Sequence, residues 1–200
     1  MPLADVVIDL HSGGSSLIYI PSALTKIGPD RKRSAKQLEL LEVFGAPIGY
    51  VVQGMGEDRT STSAGERQGA LVMGTEVGGA GMVGVESTRI CEAGVQRILE
   101  HLGILKPTQL SRERPKTRIM EVGGIDYYVY APEPGLFEPY VDLGATVKKG
   151  QPAGAVQFVD NPLRSPVMAH FAHDGMVICK RVPGRVERGD CLFHLATDRG

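Results

Sequence analysis

The run Ala4-Asp5-Val6-Val7-Ile8-Asp9-Leu10 constrains this chain more than any other feature. Its β-branched centre reads as a strand. A strand this apolar on both faces is expected inside a parallel sheet, covered on each side. A buried strand so early in a chain would normally have its neighbours supplied by earlier chain. Residues 15–20 read as a second short strand closed by Pro21. Residues 34–44 read as a helix with Leu38, Leu41 and Phe44 on one face, ended by Gly45 and Pro47. Residues 48–52 form a third strand. Residues 70–77 form another buried strand, which runs into Gly78-Gly79-Ala80-Gly81. Residues 86–102 carry a helical period through Ile90, Val95, Ile98 and Leu102, with Gly103 as the C-terminal cap. This alternation predicts an α/β domain over residues 1–105, with a parallel or mixed sheet and flanking helices.

The pattern changes after residues 106–117, a polar, proline-bearing linker. Short strands at 127–130, 153–158, 176–180 and 191–195 alternate with glycine turns, and no helical period is visible. That predicts a small all-β, sandwich- or barrel-like module over residues 118–200. Residues 54–66 are polar and dotted with glycine. They read as a mobile loop, either a lid over a substrate or an ordinary surface segment.

Composition excludes several classes. The net charge is -1 and no basic block occurs, which argues against a nucleic-acid or membrane-surface partner. The cysteines, Cys91, Cys179 and Cys191, form no CxxC pair and are odd in number. A disulfide framework or cysteine zinc site is not expected, and a reducing cytoplasm suits the chain. The start MPLADVVIDL lacks the basic residues and long apolar run of a secretory signal. No apolar stretch approaches the ~20 residues of a membrane span.

His11 ends the first strand and is followed by Ser12-Gly13-Gly14; Glu76 ends the strand at 70–77 and is followed by Val77-Gly78-Gly79. Ligands of open α/β sheets bind beyond the carboxyl ends of the strands. Two protonatable groups at two such ends, beside glycines that let a substrate approach the backbone, make a candidate site. Neutral imidazole is a good zinc ligand. A glutamate beside zinc can take a proton from water that the metal acidifies. Asp9 lies two residues before His11, so both point to one face of the strand, and a carboxylate there can fix the tautomer of the imidazole. The plainer alternative is two polar strand ends. One His and one Glu do not complete a catalytic zinc site, which takes three protein ligands. Other histidines add little. His170 and His173 have ligand spacing but fall among turn residues. His101 suits a helix C-terminus, and His194 reads as structural. Arg59 and Arg67 are weak candidates to contact a substrate carboxylate.

The blocks Asp5-Val6-Val7-Ile8-Asp9-Leu10-His11-Ser12-Gly13-Gly14 and Gly74-Thr75-Glu76-Val77-Gly78-Gly79 resemble two blocks of the succinylglutamate desuccinylase/aspartoacylase family. The resemblance extends over most of the chain. Within the family, the chain resembles deacetylases of N-acetyl-diaminobutyrate from ectoine breakdown. The resemblance implies a zinc-carboxypeptidase-like fold and a zinc-dependent hydrolase that removes an acyl group from an N-acyl amino acid. It implies His11 as a zinc ligand and Glu76 as the general base. Two further family ligands, in an H-x-x-E motif, and the arginines that grip the substrate have no counterpart in this sequence. The expectation is therefore an N-terminally truncated chain with an incomplete site, reduced zinc affinity, and strand edges open to self-association. The alternative function is a non-catalytic remnant serving as a binding or oligomerisation module.

The turns at Gly144-Ala-Thr-Val-Lys-Lys-Gly150-Gln, Ala172-His-Asp-Gly175-Met-Val and Val186-Glu-Arg-Gly189-Asp resemble those of a biotinyl/lipoyl-like sandwich. The stretch where such carriers place their lysine, residues 158–166, has none, so no swinging arm is expected. The module is expected to pack on the α/β part, shape a substrate entrance or build an interface.

Overall fold

The first strand, β1 (Val6–Asp9), stands at one end of a ten-stranded mixed sheet in the computed structural model, which describes residues 4–52, 60–108 and 115–200. Its only strand partner among the described residues is β5 (Leu71–Glu76), which runs parallel to it. All four residues of β1 are half-buried, so the expectation of a strand covered on both faces is corrected. An edge position leaves one flank open however apolar the strand is.

Beyond β5 the order continues through β3 (Ser22–Lys26), β4 (Ile48–Val52) and β6 (Arg118–Val122). β3 is antiparallel to β5, with Ser22 opposite Glu76, and parallel to β4. The sequence pattern stops the preceding strand at Pro21 and misses β3. SALTK carries little β propensity, and its burial comes from the neighbouring strands and helix. Ala23 and Ser22 are fully buried there.

Helix α1 (Arg31–Phe44) begins at Asp30, whose carboxylate accepts from the backbone N–H groups of Lys32 and Arg33 at 2.9 and 3.1 Å. It ends at Gly45, in the left-handed conformation at φ 72°. Its buried face holds Leu40, Leu41, Val43 and Phe44. That face joins Ala23, Met73 and Ile98 of α3 (Val85–His101) in one apolar cluster. A second, short helix, α2 (Ser61–Arg67), occupies part of the segment expected to be a loop. Thr60 caps it, accepting from the N–H of Ser63 at 3.1 Å. Seven polar and small residues are too few to show a helical period, so the cap carries the signal.

The C-terminal part contains β7 (Tyr128–Tyr130), β8 (Gly135–Pro139), β9 (Thr146–Val147), β10 (Pro152–Gln157), β11 (Val167–His170), β12 (Gly175–Arg181), β13 (Arg185–Val186) and β14 (Cys191–Asp198). Four of these form a separate antiparallel sheet in the order β11-β10-β8-β13. The remainder continue the large sheet. β14 pairs with β6, β12 pairs with β14, and β2 (Leu17–Tyr19) returns from the N-terminal part to pair with β12. The core cluster of the C-terminal strands, with Phe137, Phe171 and Phe193, therefore runs on into Ile48, Tyr50, Met120 and Val122. Between β10 and β11, Arg164 lies 3.7 Å over the ring of Phe158 and pairs with Glu133 at 2.7 Å. Among the described residues, no helix is long and apolar enough to cross a membrane. All three cysteines are free thiols.

Candidate active site

The parallel pairing of β1 with β5 places their carboxyl ends side by side, and these ends carry His11 and Glu76. Thr75 ties the two ends together. Its buried hydroxyl accepts from the backbone N–H of His11 at 2.9 Å and donates to the carbonyl of the same residue at 3.0 Å. The Val77 N–H also donates to the His11 carbonyl, at 3.0 Å. Both backbone groups of His11 are thus satisfied from β5 and its continuation, which fixes where the imidazole leaves the backbone.

His11 Nδ1 lies 2.7 Å from Asp9 Oδ1. An ionised carboxylate only accepts, so Nδ1 is the donor, and in the neutral imidazole this leaves the lone pair on Nε2. The other carboxylate oxygen of Asp9 accepts from the hydroxyl of Ser61 on α2. Asp9, His11, Ser61, Thr75 and Glu76 line one cavity of about 300 Å³, together with Leu24, Thr60, Thr62 and Gly74.

Glu76 is half-buried, and its Oε2 is enclosed with no hydrogen-bond partner among the described residues. Burial pushes its carboxyl up to about 7; nearby His11 acts against this, and the charge of Asp9 adds to it. Beside Glu76 lies an aromatic cluster. Burial, with the charge of Glu76 among the lesser causes, pushes the phenols of Tyr19, Tyr50 and Tyr128 upward. His194 stacks on Tyr128 at 4.1 Å and meets the rings of Tyr19 and Tyr50 edge to face at 6.0 and 5.8 Å.

The glycines beside His11 and Glu76 have a different role from the one expected. A Cβ on Gly13 or Gly79 would stand 2.4 or 2.1 Å from the Leu17 carbonyl oxygen. Gly79 also sits at φ 143°. The close approach they permit is that of the chain's own turn into β2 rather than of a substrate. Ile18 then bridges to Gly79 and carries β2 onward to β12.

Of the other candidates, Arg67 is exposed at the far end of α2, outside the described lining of the cavity. Arg59 and the first part of the expected lid, residues 54–59, lie outside the described residues, as do residues 109–114 of the expected linker. His173 stacks on Tyr127 at 4.2 Å, with Nδ1 2.6 Å from the Asp174 carbonyl oxygen. His101 pairs with Glu39 at 3.5 Å. Ser61 lies in no motif, and the block that holds Thr75 gives no sign of the role of its hydroxyl. Their partners lie 52 and 64 residues away, and only the fold brings them to the site.

A family model of the succinylglutamate desuccinylase/aspartoacylase catalytic domain matches residues 1–102. The chain belongs to this family. The N-alpha-acetyl-L-2,4-diaminobutyric acid deacetylase of Halomonas elongata is 32% identical to it over 196 residues, which is 98% of this chain and 57% of that protein. A crystal structure of a succinylglutamate desuccinylase/aspartoacylase from Rhodobacter sphaeroides superposes with a TM-score of 0.89 at 36% identity, covering 99% of this chain and 60% of that one. The product-bound ectoine utilization protein EutE (DoeB) of Ruegeria pomeroyi gives a TM-score of 0.89 at 31% identity, over 98% of this chain and 59% of that one. The chain thus spans about three-fifths of the length of these family relatives. They share its fold, a mixed sheet with helices and a separate antiparallel sheet.

The donor set can be tested against the zinc expected for such a family. His11 fits as one ligand: its Nδ1 is engaged by Asp9, its Nε2 is free to coordinate, and its side chain is 64% exposed. Among the described residues, no group of three or more His, Cys, Asp or Glu side chains is placed to hold a metal ion. The described residues therefore offer one imidazole suited to zinc and do not complete a zinc shell.

Proposed function

We propose that this chain carries the base and one zinc-binding arm of an N-acyl amino acid deacylase. The observation that carries the reading is the pairing, at one cavity, of an unpartnered Glu76 carboxyl with an imidazole held in its Nδ1–H form by Asp9. Family membership and the similarity to an N-alpha-acetyl-L-2,4-diaminobutyric acid deacetylase support the reaction class. His11 Nε2 would hold the zinc. When bound there, zinc supplies Lewis acidity toward the acyl carbonyl and brings the pKa of water down to roughly 7.

Glu76 takes the proton from the attacking water and returns it to the departing amine. A base of this kind works best when its pKa lies near the operating pH, and burial brings Glu76 to about 7. Asp9 keeps the ligand lone pair of His11 available. The substrate is a small N-acyl amino acid, in keeping with a cavity of about 300 Å³.

The test is turnover of N-acetyl-diaminobutyrate by the full chain in the presence of zinc, with and without Glu76→Gln. Loss of a positioned general base should lower turnover by roughly 10²–10⁴-fold while the fold is kept. Turnover by Glu76→Gln near that of the parent would sink the assignment of the base. A second reading, a non-catalytic binding module, draws on the single imidazole ligand among the described residues. Metal analysis separates the two: stoichiometric zinc that disappears in His11→Ala speaks against the module.

A further inference from the structure

The hydrogen-bonded chain behind His11 extends one residue past Asp9. The Ser61 hydroxyl donates to Asp9 Oδ2, and Asp9 Oδ1 accepts from His11 Nδ1 at 2.7 Å. The order of these groups decides what Ser61 can do. Its proton faces a carboxylate rather than the imidazole, so His11 does not activate it as a nucleophile, which would need the base in contact with the hydroxyl. The serine acts on the carboxylate instead.

The terminal torsion of an aspartate is soft and roughly two-fold. An Asp9 carboxylate held by one oxygen alone can turn away from its partner. His11 is in a setting where that matters. Its side chain is 64% exposed, while that of Asp9 is 22% exposed. In water a neutral imidazole prefers its proton on Nε2, and an Nε2–H has no lone pair with which to bind a metal or accept a proton. The carboxylate must overrule the solvent, and it can do so only while it faces Nδ1. Ser61 is itself well fixed. It opens α2 directly after the cap Thr60, whose hydroxyl accepts from the Ser63 N–H at 3.1 Å, and Lys26 Nζ donates to Ser63 Oγ at 2.9 Å.

We propose that Ser61 is a positioning residue for His11: by gripping the far oxygen of Asp9 it holds His11 in the Nδ1–H form and keeps the bare Nε2 available to the cavity. The use of that lone pair rests on the reading of His11 as a ligand given above; the tautomer control does not.

The test uses the full chain, without added metal, labelled with ¹⁵N at histidine. The ring nitrogens of His11, assigned by their loss in His11→Gln, are read at alkaline pH, where imidazoles are neutral. The parent should show mainly the Nδ1–H form. Ser61→Ala should lower the Nδ1–H to Nε2–H ratio by roughly 2- to 10-fold, the worth of one hydrogen bond. Ser61→Thr, which keeps the hydroxyl, should restore it, and Asp9→Ala should go further in the same direction as Ser61→Ala. Thermal unfolding of each variant confirms that the fold is kept. An unchanged ratio in Ser61→Ala overturns the proposal. So does a ratio that falls equally in Ser61→Ala and Ser61→Thr, because α2 packing rather than the hydroxyl would then be responsible. If the ratio responds as stated and the chain nonetheless neither binds zinc nor deacylates, the positioning role stands and the functional reading falls.

Discussion

Glu76 Oε2 and both ring nitrogens of His194 are enclosed without hydrogen-bond partners among the described residues, yet their surroundings give the two side chains different fates. Glu76 sits at a strand end and lines a cavity, with His11 and Asp9 near enough to act on its charge. His194 lies in the middle of β14, 2% exposed, with Tyr128 stacked on its face and Tyr19 and Tyr50 around it. Burial favours the uncharged form of both, raising the pKa of the first to about 7 and lowering that of the second to about 3. An unpartnered polar atom is therefore not by itself a mark of function. It becomes one where a cavity and a second reactive group share the space, as at Glu76. Where aromatic rings close in, as at His194, the group is held neutral and serves as packing.

The comparison can be broken first at His194. Its folded-state pKa lies below the ordinary histidine value of 6.5. The contribution of His194 to stability is thus constant above pH 6.5 and falls as pH drops from 6.5 toward 3, because the unfolded chain takes up the proton first. The full loss is on the order of 5 kcal/mol. His194→Phe keeps the ring and removes the proton site, so the parent's unfolding free energy should fall relative to the variant's over that window. Parallel acid-unfolding curves for the two proteins would mean that His194 is not held neutral by burial. A smaller effect is expected at the tie between the strands. Thr75→Val preserves shape and loses the hydroxyl that serves both backbone groups of His11. It should cost about 1–3 kcal/mol in denaturant unfolding, the penalty for an unsatisfied buried polar group.

The sequence carried the repetitive parts of this structure and left out the parts decided across space. Helices α1 and α3 were legible because Leu41, Phe44 and Ile98 recur at the helical period and glycines close both ends. The strands β1 and β5 were legible as apolar runs. The edge position of β1 was not, since exposure at an edge depends on which strand comes next. Strand β3 was hidden because Ser22, Ala23 and Thr25 are buried by their neighbours and not by their own hydrophobicity. At the site, the spacing of Asp9 and His11 already placed them on one face, and their 2.7 Å contact follows. The grips of Ser61 and Thr75 were beyond reach, because no local pattern marks a hydroxyl that bonds to a residue far along the chain. The closure of β2 onto β12 was hidden for the same reason. It turns Gly13 and Gly79 from apparent openings into points of backbone contact.

The account turns on an acid group confined beside His11 that gives up its proton only around neutral pH, and one comparison measures that. Unfolding free energies of the parent and of Glu76→Gln should be determined side by side from pH 4 to pH 9. The folded-state pKa of about 7 lies above the ordinary 4.5. The unfolded chain therefore ionises first, and the parent should lose ground to the glutamine variant as pH rises from 4.5 to 7, then hold a constant deficit of about 3 kcal/mol. A difference that stays the same at every pH would show an ordinary, solvated carboxylate and contradict the account.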